Sequence, residues 1–187
     1  MLQTKNNLTL EEFLALPEDD VTYEFVDGEV IPKMSPKLFH SRLTRVLLKF
    51  LEQWGEEKGE VGIEWAIVLT RRGKSWVPTP ELLFVSYQRL APDWMENEAC
   101  PVPPELVIEI ISPGQTFGQL AAKARDYLDA GVLRVWVVDS QARSITVFYP
   151  DAPPQTYMGS IPLIDVLFEG LEITAEQVFQ LAKIRGK

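Results

Sequence analysis

The sequence predicts an α/β fold, and two observations carry that prediction. The stretch from Pro104 to Asp139, PELVIEIISPGQTFGQLAAKARDYLDAGVLRVWVVD, reads as strand, loop, helix, strand. A unit of that order and length favours a right-handed parallel crossover. Its first strand, Glu105 to Ile111, is almost continuously apolar, as expected of a strand covered on both faces, and is interrupted by the carboxylate of Glu109. A length of 187 residues, 46% of them hydrophobic, suits a single domain over 1–187 with a full core.

Thr9 with Glu12 forms a capping box that predicts a short helix from Glu11 to Leu16, ended by Pro17. Tyr23 to Ile31, YEFVDGEVI, is two strand-like runs about Asp27 and Gly28, a hairpin signal that puts Glu24 on a strand. From Leu38 to Trp54, Leu43, Val46, Leu47, Phe50 and Leu51 recur at helical spacing, while Arg42, Arg45 and Lys49 share another face. His40, the only histidine, precedes Leu43 and Leu47 by three and seven positions and so leans inward. A lone histidine in such a place is more often a hydrogen-bonded structural residue than a catalytic one.

Gly59 to Thr70 alternates Val61, Ile63, Trp65, Ile67 and Leu69 with other residues, which predicts one half-buried strand reversed by the turn at Arg71 to Lys74. Pro78 and Pro80 exclude ladder positions of their own, so the next strand is expected from Glu81 to Val85. The proline-rich segment from Arg89 to Pro104 reads as a surface loop. Beyond Ser112, Pro113 and Gly114, a capping box of Thr116 and Gln119 opens a helix expected to run to about Ala130 and close at Gly131. Lys123, between Leu120 and Tyr127, borders the inner side of that helix. Leu133 to Asp139 and Ser144 to Tyr149 are strands, and Leu171 to Ile173 is a last short one. Thr174 with Gln177 caps a final helix that docks through Val178, Leu181 and Ala182.

A net charge of −9 argues against tight, nonspecific nucleic-acid binding, whose affinity comes largely from Lys and Arg on phosphates. Local charge runs the other way. Ile31 to Leu51 contains Lys33, Lys37, Arg42, Arg45 and Lys49 with no acidic residue, and Arg71, Arg72 and Lys74 crowd one turn. These are candidate phosphate contacts, and they are equally what a solvated helix face and a charged hairpin tip would carry. The lone Cys100 has no partner for an internal disulfide or a metal knuckle. No apolar run approaches a membrane span and residues 1–20 hold no signal-like core, so the expectation is a cytoplasmic protein without a membrane partner.

Glu24, Glu81 and Glu109 each lie in strand-like sequence, and Lys123 follows Glu109 by fourteen residues on the next helix. Buried carboxylates are costly without partners, and a hard cation such as Mg²⁺ is a natural one, because it takes one or two carboxylates and leaves positions for waters and phosphate oxygens. A nearby lysine would orient water or stabilise charge on the phosphate, which is the chemistry of metal-assisted phosphodiester hydrolysis. Strand-end carboxylates and a helix-surface lysine without any such role would show the same spacing.

Five segments in order resemble one family. TYEFVDGEV is similar to its YELIDGEL signature, MSPKLFHSRLTRVL to its SP-x-x-x-H segment, and TPELLFV to its PDLLFV strand. LVIEIISP is similar to its E-V-L-S-P segment, and Lys123, Tyr127 and Gly131 to its K-x-x-x-Y-x-x-x-G helix, after which WVVD completes the pattern. The chain thus resembles the bacterial endonuclease-like proteins of the restriction-endonuclease-like, PD-(D/E)xK superfamily. The resemblance implies a central mixed β-sheet flanked by helices, with Glu81 and Glu109 as ligands of Mg²⁺ or Mn²⁺. It implies that Lys123 stands in for the lysine usually two residues after the second acid, where this chain has Ile111. Glu24 matches a further family acid near the site, and His40 would support the cluster or contact phosphate. DNA is the implied partner, phosphates being met by Arg42, Arg45 and Lys49, and a homodimer would pair two sites. Two departures are Glu81 in place of the usual aspartate and Gln119 in place of an aspartate in the helix's first turn. The extra methylene of Glu81 leaves a second outcome open: a catalytically weak or inactive nuclease-fold protein that acts as a nucleic-acid-binding or regulatory module.

Overall fold

A computed structural model describes residues 8–17 and 21–184. Its centre is a six-stranded mixed sheet built from β3 (Gly59–Ile63), β6 (Leu82–Ser86), β7 (Leu106–Ile110), β8 (Arg134–Asp139), β9 (Ser144–Phe148) and β10 (Gln155–Met158). Their order is β10-β9-β8-β7-β6-β3. Only β7 and β8 run parallel, joined by α3 (Phe117–Asp129) as the strand, helix, strand pattern requires. A second sheet, order β2-β1-β5-β4, consists of β1 (Tyr23–Val26), β2 (Glu29–Pro32), β4 (Leu69–Arg71) and β5 (Lys74–Val77). A small pair, β11 (Pro162–Leu163) with β12 (Ile173–Thr174), leads into α4 (Ala175–Leu181).

Two apolar cores cover the two faces of the central sheet. On one face α2 (Leu38–Gly55) and α4 bury Leu43, Leu47, Leu51, Val178 and Phe179 against Leu82, Leu106, Ile108 and Trp136. On the other, α3 and the second sheet bury Leu120, Tyr127 and Trp76 against Leu83, Val107, Val135 and Val137. Full burial of a side chain of Leu or Phe size is worth about 1.5–3 kcal/mol, so these two layers are the main source of stability. Period-two alternation sends Glu109 to the second face, beneath α3. No described helix is long and apolar enough to cross a membrane.

Local signals act as read from the sequence. All three capping boxes form, α1 (Leu10–Leu14) being opened by Thr9 with Glu12. Asp27 and Gly28 both take positive φ, 55° and 93°, which a type I′ hairpin requires.

Four expectations need correction. Gly59 to Thr70 is not one strand: the chain leaves the central sheet after Ile63, Glu64 takes φ 45°, and Leu69 enters the second sheet. Apolar alternation has the same period in both sheets, so it cannot mark the jump between them. The Arg89–Pro104 segment is not merely a surface loop, because Leu90 and Cys100 are buried in the second core and Cys100 bridges Ile67. Leu181 is exposed, the buried stripe of α4 being Ala175, Val178, Phe179 and then Ala182 at spacings of three and four. The edge strand β10 was not expected, since its residues are mostly exposed and lack apolar alternation.

Candidate active site

Glu109 closes the C-terminal part of β7, and β6 runs antiparallel beside it with Leu82 opposite Ile108. Continuing that register by one residue sets Glu81 opposite Glu109. Pairs so opposed have Cβ atoms about 4.5–5.5 Å apart, so the two carboxylates share one end of the sheet. Both are nearly enclosed, at 5% and 4% exposure. Burying an ionised carboxylate costs several kcal/mol unless partners compensate, so the partners decide what this cluster can do.

Lys123 reaches in from α3, held on the helix's inner border by its neighbours Leu120, Ala124 and Tyr127, which are buried. Its Nζ lies 2.9 Å from Glu109 Oε1 and 2.7 Å from Glu24 Oε1. Glu24 arrives from the second sheet, and the Thr79 backbone N–H donates to its Oε1 at 3.1 Å. Tyr127, one helical turn after Lys123, donates its hydroxyl to Glu109 Oε1 at 2.8 Å. On Glu81 each oxygen has its own partner: His40 Nε2 lies 3.2 Å from Oε1, and Lys33 donates to Oε2 at 3.3 Å. Lys33 also meets Glu64 at 3.3 Å. His40 thus leans inward as its spacing requires, while its Nδ1 is buried without a hydrogen-bond partner among the described residues.

The two neighbouring acids titrate in opposite directions. Burial pushes the Glu109 carboxyl up; Lys123 opposes this, but the charges of Glu24 and Glu81 push the same way as burial, and the net is a raised value. Burial would also raise Glu81, yet the His40 hydrogen bond and the Lys33 charge outweigh it and hold that carboxyl below its ordinary range. Burial would lower the Lys123 ammonium, but Glu109 and Glu24 together hold it above an ordinary lysine, so it stays protonated. Burial, then Glu109, raises the Tyr127 phenol, which keeps it a donor.

Among the described residues no group of three or more His, Cys, Asp or Glu side chains is placed to hold a metal ion. Mg²⁺ does not need three, since it binds through one or two carboxylates and keeps waters or phosphate oxygens elsewhere. Three carboxylates, Glu24, Glu81 and Glu109, face two ammonium groups, Lys33 and Lys123. That crowding of acids, with burial, is what raises the proton affinity of Glu109.

The sequence profile of the Uma2 family, described as "Putative restriction endonuclease", matches residues 10–176. The chain belongs to the Uma2 family. Its structure is similar to the crystal structure of "a putative nuclease belonging to DUF820" from Anabaena variabilis, with a TM-score of 0.81 and 19% sequence identity. That match covers 94% of this chain and 99% of the other, so the two share one fold over nearly all of both chains. No curated protein sequence matches it.

Five residues singled out in the sequence gather at this end of the sheet as two contacting sets, Glu24 with Lys123 and Glu109, and His40 with Glu81, and the two sets are close enough for the charge of Glu81 to act on Glu109. Arg42, Arg45 and Lys49 join neither; they lie further along α2, with Arg45 and Lys49 exposed. Sequence reasoning missed the roles of two members. Lys33 was grouped with the phosphate contacts but grips Glu81, and Thr79 fixes Glu24 through its backbone, which no side-chain pattern reveals. Tyr127 was visible: a tyrosine four residues after the lysine must share its helix face.

Proposed function

We propose that this member of the Uma2 family is an endonuclease that uses Mg²⁺ or Mn²⁺ to hydrolyse phosphodiester bonds of DNA at this cluster. The observation that carries the reading is Lys123 Nζ at 2.9 Å from Glu109 Oε1, beside Glu81, the residue that leads into the neighbouring strand β6. In the reaction a water oxygen bonds to phosphorus, one P–O ester bond breaks, the water loses a proton and the departing oxygen gains one. Glu81 and Glu109 are the residues that would hold the cation, which when bound would supply Lewis acidity to the phosphate oxygens. The chain's own groups do the rest. Lys123, kept protonated by its two carboxylates, places positive charge against the charge that develops on the phosphate. Tyr127 fixes the Glu109 carboxylate, and His40 with Lys33 fixes that of Glu81. Arg42, Arg45 and Lys49 form a basic approach along α2 for the DNA backbone.

A specific observation favours a second reading, a binding or regulatory module without cutting activity. Both oxygens of Glu81 already have protein partners, so a cation must displace Lys33 or share with it. Cleavage of supercoiled and linear DNA at low salt with Mg²⁺ or Mn²⁺ separates the two, with Glu109→Ala purified identically as control. Metal-dependent cutting that Glu109→Ala abolishes supports the nuclease. If neither protein cuts and calorimetry detects no metal binding that Glu81→Ala removes, the binding module is the better reading.

A further inference from the structure

The first turn of α2 does more than deliver His40 to Glu81. On its other side it walls a groove of about 940 Å³, closed opposite by Ile111 and Pro113 beyond β7 and by the β8–β9 turn that carries Arg143. His40 and Ile111 connect this groove to the acidic cluster: His40 touches Glu81, and Ile111 lies two residues after Glu109.

Its lining combines two properties. Leu38 and Phe39 present apolar surface to solvent at 60% and 49% exposure, on the first turn of a helix whose other apolar residues are mostly packed inward. The charged side chains among its described lining residues are Lys37 and Arg143, both cationic, although the chain carries a net charge of −9. A flat aromatic surface beside cations, leading to a phosphodiester site, is chemistry that suits an unpaired nucleotide: the base stacks and the phosphate pairs with the cations. A base inside a duplex has no free face to offer such a surface.

We propose that this groove binds an unpaired nucleotide of the DNA strand being cut, its base against Phe39 and Leu38 and its phosphate toward Lys37 and Arg143. The inference rests on the nuclease reading for its place in the reaction and names the substrate class as single-stranded or frayed DNA. Duplex DNA, an apolar peptide or a second copy of the chain would be the competing occupants.

The test is fluorescence anisotropy of a labelled single-stranded oligonucleotide and of its duplex with the full chain in EDTA, so that binding is read without cutting. The expected result is tighter binding of the single strand, weakened roughly tenfold by Phe39→Ala, with Phe39→Trp retaining it. Arg143→Ala should weaken the same complex and reduce its salt dependence. Unchanged single-strand affinity in Phe39→Ala overturns the proposal. So does equal loss on single strand and duplex, or a dimer in sedimentation that Phe39→Ala dissociates. Cleavage with Mn²⁺ is scored separately. Cutting with no Phe39 dependence of binding removes the groove and keeps the nuclease, whereas Phe39-dependent binding without cutting does the reverse.

Discussion

Strand β7 and the residue before it carry two buried glutamates in opposite surroundings, Glu105 at the N-terminal end and Glu109 near the C-terminal end. Glu105 accepts from the Ser86 backbone N–H at 2.8 Å and from the Ser86 hydroxyl at 2.6 Å, and Arg89 Nε lies 3.2 Å away. Its donors come from one neighbouring segment, Ser86 to Arg89. Glu109 shares its enclosure with Glu24 and Glu81, and its partners Lys123 and Tyr127 come from another layer of the fold. Burial alone therefore says little about role. A carboxylate supplied with donors by its own strand neighbours ties the fold together, while one whose titration is perturbed by other acids is the better candidate for a functional group.

The comparison breaks most sharply on activity. Glu109→Ala should lower DNA cleavage by about a hundredfold or more, the usual scale for losing a group that acts on the transition state, in a plasmid-nicking assay with Mn²⁺. Lys123→Ala should do the same. Glu105→Ala should leave cleavage per folded molecule close to the parent's but cost roughly 1–3 kcal/mol of stability, because the partly buried Ser86 donors lose their acceptor. Urea unfolding reads that loss, and cleavage falling as far as in Glu109→Ala would dissolve the distinction between the two ends.

A subtler effect separates Glu109 from Glu81. Glu81 has a folded value below its ordinary 4.5, so it stabilises the fold above that pH and the stabilisation is lost as pH falls through the lower folded value. Glu109 has a folded value above 4.5, so it favours the fold while protonated and that contribution is lost as pH rises through the raised value. Urea unfolding across about pH 3–7 should show the parent gaining on Glu81→Gln with rising pH and losing on Glu109→Gln. Slopes of one sign for both would contradict the opposed environments. The smallest effect belongs to Tyr127→Phe, which removes one hydrogen bond to Glu109 and should cost about 1 kcal/mol of stability, with a modest fall in cleavage.

Much of this molecule is written in short-range sequence. The capping boxes at Thr9, Thr116 and Thr174, the Asp27–Gly28 turn and the β7–α3–β8 crossover depend on residues within a few positions of one another, or on one unbroken apolar run. Local chemistry determines such features, so the α/β class and the strand and helix addresses of Glu24, Glu81, Glu109 and Lys123 were legible. The tertiary structure decided what contacts what. It moved the chain from one sheet to the other at Glu64, which a period-two pattern common to both sheets cannot record. It also gave Glu105 and Glu109 different partners and drew Lys33 to Glu81 across forty-eight residues of sequence. Those pairings depend on how the layers pack, and electrostatics falls off with distance in space, which spacing along a chain does not specify.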